Sequence, residues 1–421
     1  MKVLVIGGGG REHAIVWALN KSPLVKEIIC APGNPGIAQR ATCYPVDAES
    51  IDGLLALAKR HKVDLVIVGP EAPLVAGLAD LFRAEGIPVV GPSKKAARIE
   101  GSKIFCKNLM TKYHIPTADF SVFTYPYNAS ECIKALADSD FPIVIKADGL
   151  AAGKGVKIAH NHQEAYDAVA TIMIEQEFGE AGNRILIEEF LDGPECSIIV
   201  ATDGQNIMPF PASRDYKPAY DGNQGPNTGG MGAFAPLPDI SDELFETIIA
   251  TIIQPTIKAM ADEGYPYQGI LYAGLKLTAN GPKVLEYNCR FGDPETQVVL
   301  PLLKSDFAEL MMATATGWLA DYQPEWHNQF AVCVVMTSRG YPKKSKTDFP
   351  ITGLELIDPT YVTVFHAGTA INDQNQIVTN GGRVLGIVGT DEKLFAARGL
   401  AYWGVEQIKF LGKLHRTDIA L

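Results

Sequence analysis

The chain has 421 residues, 47% of them hydrophobic, and a formal net charge of −11. That length exceeds what one core supports, so two to four domains are expected. The negative balance and the lack of a long Lys/Arg run argue against nucleic acid or an anionic membrane as main partner, so an anionic ligand must be met by local positive groups.

Residues 2–6 form a continuous apolar run of the kind buried in a parallel sheet, followed by Gly7-Gly8-Gly9-Gly10 and a helical pattern from Arg11 to Leu19. Expected strands at 27–30, 64–68 and 87–90, alternating with helices at 50–60 and 74–84, continue the rhythm of a doubly wound sheet. The helix start after Gly10 suits an anion. The dinucleotide frame G-x-G-x-x-G fails there, because its third glycine falls on Glu12 or His13 and no ribose-binding acid ends the second strand. A single phosphate is the better reading. Gly69-Pro70-Glu71 ends another strand and either faces the same crevice or is an ordinary turn.

A helix spans 101–117, and a new unit begins near Phe120. The apolar strand 141–146 ends in Lys146, which either meets an anion or reaches to water. After it, Ala147-Asp148-Gly149-Leu150-Ala151-Ala152-Gly153-Lys154-Gly155 reads as a phosphate-covering loop between two strands. It is not a Walker A loop: the spacing is one residue short, Gly155 stands where Ser/Thr belongs, and a strand follows where a helix should. A strand at 185–191 ends in Glu188-Glu189-Phe190-Leu191, with Glu195 shortly after. The glycine-rich stretch 211–236 is long for a plain connection.

Strands at 267–278 and 284–290 follow a helix at 242–263. Along the second strand, period-2 alternation puts Glu286, Asn288 and Arg290 on one face and Leu285, Tyr287 and Cys289 on the other. A carboxylate and an amide oxygen at i and i+2 suit a hard cation such as Mg²⁺, shared with substrate phosphates, and Arg290 suits a phosphate or carboxylate. The plainer alternative is a solvated, salt-bridged strand face. Helices at 296–303 and 307–316, a connection at 318–328 and a β-rich C-terminal part with a helix at 391–405 complete the chain. Seven scattered cysteines without a C-x-x-C pair indicate neither a disulfide framework nor a zinc site and fit a reduced cytoplasm. No export signal or apolar run of ~18–20 residues is expected.

The runs at 7–13 (GGGGREH), 69–74 (GPEAPL), 146–155 (KADGLAAGKG), 225–232 (GPNTGGMG) and 286–295 (EYNCRFGDPE) together closely resemble the phosphoribosylamine–glycine ligase, or glycinamide ribonucleotide synthetase, family of ATP-grasp enzymes, over the whole chain. The resemblance implies a multi-domain α/β and α+β fold. Its parts would be a pre-ATP-grasp doubly wound α/β domain (1–102), a linker helix region (103–120), a lid (121–190), a central ATP-grasp domain (191–325) and a β-rich C-terminal domain (326–421). It further implies ATP as cosubstrate and Mg²⁺ or Mn²⁺ bound at Glu286 and Asn288. Lys103, Lys146, Gly153, Lys154 and Gly155 would meet the phosphates, Glu188, Glu189 and Leu191 the adenine, and Glu195 the ribose. Phosphoribosylamine is expected near Gly9, Gly10, Arg11, Gly69, Pro70 and Glu71, with Gly368, Thr369 and Arg383 assisting. Glycine is expected by Arg290 and the loop carrying Asp215, Asn227, Thr228 and Gly229. Arg290 and Lys146 are the expected catalytic pair. A cytoplasmic monomer acting on small molecules is implied. The alternatives are an ATP-grasp ligase for a different carboxylate–amine pair and a non-enzymatic nucleotide-binding module. Pro218 stands where many relatives carry arginine, which puts the local loop conformation in question.

Overall fold

The computed structural model describes residues 1–151 and 155–421. The chain opens with β1 (Lys2–Gly7), α1 (Gly10–Leu19), β2 (Glu27–Pro32), β3 (Thr42–Cys43), α2 (Ile51–His61), β4 (Leu65–Val68), α3 (Glu71–Ala76), α4 (Leu78–Ala84) and β5 (Val89–Val90). The five strands form a parallel sheet in the order β3-β2-β1-β4-β5. The apolar runs of β1 and β4 have helices on both sides, so both faces are buried. The helix expected over 74–84 is broken in two by Gly77, whose φ of +104° lies outside the helical region.

Two short helices, α5 (Arg98–Gly101) and α6 (Lys103–Lys112), lead to a small unit made of β6 (Phe120–Phe123), α7 (Pro126–Ala135), β7 (Ile143–Ala147), β8 (Val156–Ala159), α8 (His162–Val169) and β9 (Ile185–Glu189). Its antiparallel sheet runs β6-β9-β7-β8. The unit has a core of its own, centred on Ile133, Ile145, Ile172 and Ile185, separate from the two larger clusters that span the rest of the molecule.

Next come β10 (Glu195–Thr202), β11 (Ile207–Pro209), β12 (Arg214–Asp215), β13 (Pro218–Tyr220), β14 (Gln224–Asn227), β15 (Gly232–Ala235), α9 (Asp242–Ile248), α10 (Gln254–Asp262), β16 (Gly269–Thr278) and β17 (Gly281–Asn288). After α11 (Thr296–Val299) and α12 (Phe307–Thr316), the last part holds β18 (Phe330–Thr337), β19 (Val362–His366), β20 (Thr369–Ile371), β21 (Ile377–Thr379), β22 (Arg383–Asp391) and α13 (Leu394–Gln407). One sheet runs β11-β10-β16-β17. A second, β12-β15-β18-β22-β19, takes two strands from the 211–236 stretch into the C-terminal sheet, so that stretch is paired backbone and spans the expected division at 326.

Three expectations need correction. The strand expected to reach Arg290 stops at Asn288, so Arg290 leaves the strand face shared by Glu286 and Asn288. The last helix starts and ends later than expected, at Leu394 and Gln407. The continuous helix Asp242–Asp262 is long and apolar enough by composition to cross a membrane, against the expectation of no such run. It instead buries Ile248, Ile252, Ile253, Ile257 and Met260 in the core and leaves Asp242, Glu243 and Glu246 exposed.

Candidate active site

A cavity of about 540 Å³ lies where the small unit, the β10–β17 sheet, the parallel sheet and the C-terminal strands converge. Its floor is the β16–β17 hairpin, whose register slips between Gly274 and Leu275: Glu286 pairs with Gly274 and Val284 with Leu275, leaving Leu285 as a bulge. A bulged residue has no ladder partner. The free Leu285 carbonyl accepts a hydrogen bond from Lys146 Nζ at 3.2 Å, tying β7 of the small unit to the floor.

At this end the cavity is cationic. Glu188, from β9, is almost wholly buried, and its Oε2 lies 2.9 Å from Lys146 Nζ and 3.0 Å from Lys107 Nζ. Lys107 also donates to Thr117 Oγ1 at 2.8 Å. Burial lowers the pKa of Lys107 and of Lys103, against the pull of Glu188 on the first and Glu286 on the second. Glu188 Oε1 has no hydrogen-bond partner among the described residues. A buried carboxylate oxygen of this kind demands a donor. Ser102 caps α6 by accepting from Phe105 N, and its hydroxyl donates to Asp148 Oδ1 at 3.0 Å, while Lys103 Nζ donates to the Gly149 carbonyl at 2.9 Å. The lysine at the start of α6 is thereby held over the residues following β7.

Glu286 and Asn288 both line the middle of the cavity. Burial would raise the Glu286 carboxyl, but Lys217, Lys146, Lys103 and Arg290 hold it below its ordinary value, so it is ionised. Lys217 Nζ stands 3.6 Å from Glu286 and 3.8 Å from Glu195. Glu195 is further paired with Lys276 at 3.1 Å. Lys217 is pushed well above its ordinary value: burial opposes this, but Asp215, Tyr272, Glu286 and Glu195 surround it. Asp215 is raised to about 7, chiefly by burial, with Lys217 opposing and Glu295, Glu195 and Glu286 adding to the rise. Below them Tyr272, Ser197 and Glu295 form a buried hydrogen-bonded chain, at 2.9 and 3.1 Å.

The opposite end is rich in carboxylates. Arg290 sends Nε to Glu71 and Nη2 to Glu100, each at 3.1 Å, and Nη1 to the Phe291 carbonyl at 3.2 Å. Three of its five N–H groups are therefore already used. Glu100 also accepts from Cys289 N at 2.6 Å, and burial raises its pKa although Arg290 opposes this. Arg383 pairs with Asp293 at 3.0 Å and donates to the Gly229 carbonyl, so a C-terminal strand reaches the cavity.

Arg11 is buried yet lines this end, with Nε 2.7 Å from Glu12. Glu12 turns back to accept from Gly9 N at 2.6 Å. A carboxylate of the chain itself thus caps the start of α1. A Cβ on Gly69 would lie 2.0 Å from Glu12 Oε1, which explains a glycine there.

Of the residues singled out in the sequence, Lys103, Lys146, Gly155, Glu188, Glu189, Leu191, Glu195, Glu286, Asn288, Arg11, Pro70, Glu71, Asp215, Asn227, Thr228, Gly229, Arg290 and Arg383 all line this one cavity. Gly9, Gly10, Gly69, Gly368 and Thr369 are outside its lining. Thr369 is buried against His366 at 3.1 Å, and Gly368 packs on Gly381. Gly153 and Lys154 fall outside the described residues. The sequence reading assigned no role to Glu100, Lys107, Lys217, Asp293 or Glu295, all of which line the cavity. Lys217 and the pair Asp293 and Glu295 sit inside motifs already quoted, whereas nothing in the local pattern marks Glu100 or Lys107.

Three family models describing phosphoribosylglycinamide synthetase match in succession: its N domain over residues 1–100, its ATP-grasp (A) domain over 101–296 and its C domain over 331–421. A phosphoribosylamine–glycine ligase of Caldanaerobacter subterraneus is 49% identical over 420 residues, covering 100% of this chain and 99% of that protein. The crystal structure of phosphoribosylamine–glycine ligase from Thermotoga maritima superimposes with a TM-score of 0.85 at 36% identity, covering both chains completely. A biotin carboxylase domain from Hydrogenobacter thermophilus shares the fold alone, with a TM-score of 0.74 at 18% identity over 98% of this chain and 91% of that one.

Proposed function

The chain belongs to the phosphoribosylglycinamide synthetase family, and we propose that the cavity is where its reaction takes place. That reaction is the ATP-dependent ligation of glycine to 5-phosphoribosylamine in purine biosynthesis, giving glycinamide ribonucleotide, ADP and phosphate. What carries the placement is the division of one cavity into a lysine-rich end at Glu188 and a carboxylate-rich end around Arg290, joined by Glu286 and Asn288.

In this reading the triphosphate lies along Lys103 and Lys146, with Gly149 and Gly155 lining the same end. The base lies against Glu188, Glu189 and Leu191, and the free Oε1 of Glu188 supports an amine donor arriving there. Glu195 faces the ribose. Glu286 and Asn288 fit Mg²⁺ or Mn²⁺ as donors: both are oxygen ligands on one strand face, and the carboxylate is ionised. When bound, such an ion neutralises the phosphate charge that builds during transfer.

A glycine carboxylate oxygen attacks the γ-phosphorus, giving glycyl phosphate and ADP. The amine of phosphoribosylamine then attacks the acyl carbon and phosphate leaves. No protein nucleophile is required, and alignment with charge neutralisation does the catalysis. Arg290 holds Glu71 and Glu100 in place and turns its two remaining N–H groups to the carboxylate or transferring phosphoryl. Asp215 and the Asn227–Gly229 segment orient the amines. Arg11, Pro70 and Glu71 take the sugar phosphate end, and Arg383 closes it. Gly9, Gly10, Gly69, Gly368 and Thr369 support this end from behind the lining. Action as a monomer in the cytoplasm belongs to the same reading, and the seven scattered cysteines fit a reducing compartment.

Mass-spectrometric detection of glycinamide ribonucleotide from ATP, glycine and freshly made phosphoribosylamine tests the reaction. Equal turnover with other amino acids, or ADP release that needs only one cosubstrate, would overturn it.

A further inference from the structure

Beneath the glycine turn that follows β1, two thiols face each other across adjacent strands. Cys30 on β2 and Cys43 on β3 are directly paired in parallel register, so their side chains leave the same face of the sheet. Neighbouring strands lie about 4.8 Å apart, within the roughly 4.4–6.8 Å between Cα atoms that a disulfide spans. Both side chains converge on Gly33: a Cβ built there would meet Cys43 Sγ at 2.4 Å and Cys30 Cβ at 3.6 Å. They also belong to one apolar cluster, with Cys30 fully buried and Cys43 packed at its margin and partly open to solvent.

The edge strand carrying Cys43 is two residues long and held by two pairings, so it can shift toward its neighbour at small cost. Cys30 Sγ donates to the Gly7 carbonyl at 3.3 Å, which links the pair to the turn leading into Arg11. The neighbouring thiol lowers the pKa of Cys43, whereas its neighbour and burial raise that of Cys30, so the accessible sulfur is the more nucleophilic one.

We propose that Cys30 and Cys43 form an oxidative modification site, closing to an intramolecular disulfide when the protein meets a hydroperoxide. The Cys43 thiolate attacks the terminal peroxide oxygen, the O–O bond breaks, and an alkoxide or hydroxide leaves and takes up a proton. This gives a sulfenic acid on Cys43. The Cys30 sulfur then attacks the Cys43 sulfur, the S–O bond breaks, and the departing hydroxide takes the Cys30 proton to leave as water. The two sulfurs together lose two electrons, which the peroxide accepts. The product withdraws the Cys30 S–H from the Gly7 carbonyl and ties the edge strand to β2.

The test uses the full chain treated with hydrogen peroxide, alkylated and mapped by mass spectrometry. The expected result is a Cys30–Cys43 linked peptide, two hydrogens lighter than its parts and released by dithiothreitol. With Cys30→Ser the oxidation should stop at a Cys43 sulfenic acid that dimedone captures, and with Cys43→Ser Cys30 should remain a thiol. Recovery of Cys30 and Cys43 as free thiols while Cys132, another partly exposed cysteine, is oxidised would overturn the proposal. So would sulfinic or sulfonic acid at Cys43 without the link. Peptide mapping reads the sulfurs directly, so this outcome is independent of the activity assigned above.

Discussion

The two ends of the cavity solve the same physical problem with opposite signs. At one end two lysines, Lys107 and Lys146, share the single carboxylate of Glu188, which leaves a surplus positive charge. At the other a single arginine, Arg290, stands between Glu71 and Glu100, which leaves a surplus negative charge. Buried charges are tolerated only when paired, so each surplus is a standing demand for a ligand of opposite sign. In the reading proposed above, a triphosphate meets the first demand and an ammonium or amine the second. The difference also extends to geometry: the cationic end hangs on β7 and β9 of a small unit with its own core, while the anionic end is built from the large shared cores.

The largest effect should come from removing the anion that the lysines share. Glu188→Ala leaves two buried ammonium groups facing each other, and breaking a buried pair of this kind costs about 3–5 kcal/mol. Thermal unfolding should show that loss, and saturating ATP should restore more stability to the variant than to the wild type, because its phosphates replace the missing charge. An equal ATP-induced rise in Tm for both proteins would break the assignment of this end to phosphate.

Next in size is Glu286→Gln, which keeps the shape and one oxygen but removes the charge between the two ends. By comparison with the loss of one preorganised electrostatic contact, turnover should fall about 10²–10³-fold, roughly 3–4 kcal/mol. Higher Mg²⁺ should recover part of it. Near-normal turnover at low Mg²⁺ in a folded protein would remove Glu286 from the metal site and return it to a pairing role with Lys217.

Motifs were legible in the sequence where several consecutive residues sit at a strand end, as at 69–74 and 286–295, because period-2 and loop chemistry are local. Partnerships were not. Arg290 meets Glu71 and Glu100 across 219 and 190 residues, and no local pattern announces either contact. The Leu285 bulge depends on the register of β17 against β16, so alternation alone extended the strand two residues too far. The 211–236 stretch read as loop because its strands are two to four residues long and pair with a sheet completed about a hundred residues later.

A smaller loss is expected from Arg290→Lys. The charge stays, but an ammonium cannot span Glu71 and Glu100 as the planar fork does, so one charge-assisted hydrogen bond is lost, about 1.5–3 kcal/mol or roughly 10–100-fold in kcat/KM. The loss should fall on the amine substrates and spare KM for ATP, which sharpens the contrast between the ends. If KM for ATP rises as much, the two ends do not act as separate sites.

The smallest effect concerns Asp215, which lies between the ends with its carboxyl raised by burial from the ordinary 3.8 to about 7. The folded protein therefore binds this proton more tightly than the unfolded chain does. The stability it contributes is fully present below pH 3.8 and declines as pH rises through about 7. Asp215→Asn removes that dependence, so the stability of the variant should be flatter than wild type between those limits when chemical denaturation is followed across pH. Its kcat/KM for the amines should fall only about tenfold, the lower range for one hydrogen bond to a charged group. The wild-type rate should climb with pH through the Asp215 titration, as the ionised carboxylate becomes available to an amine, and the variant should lack that limb. A variant that keeps both the stability slope and the rate limb would show that another group titrates there.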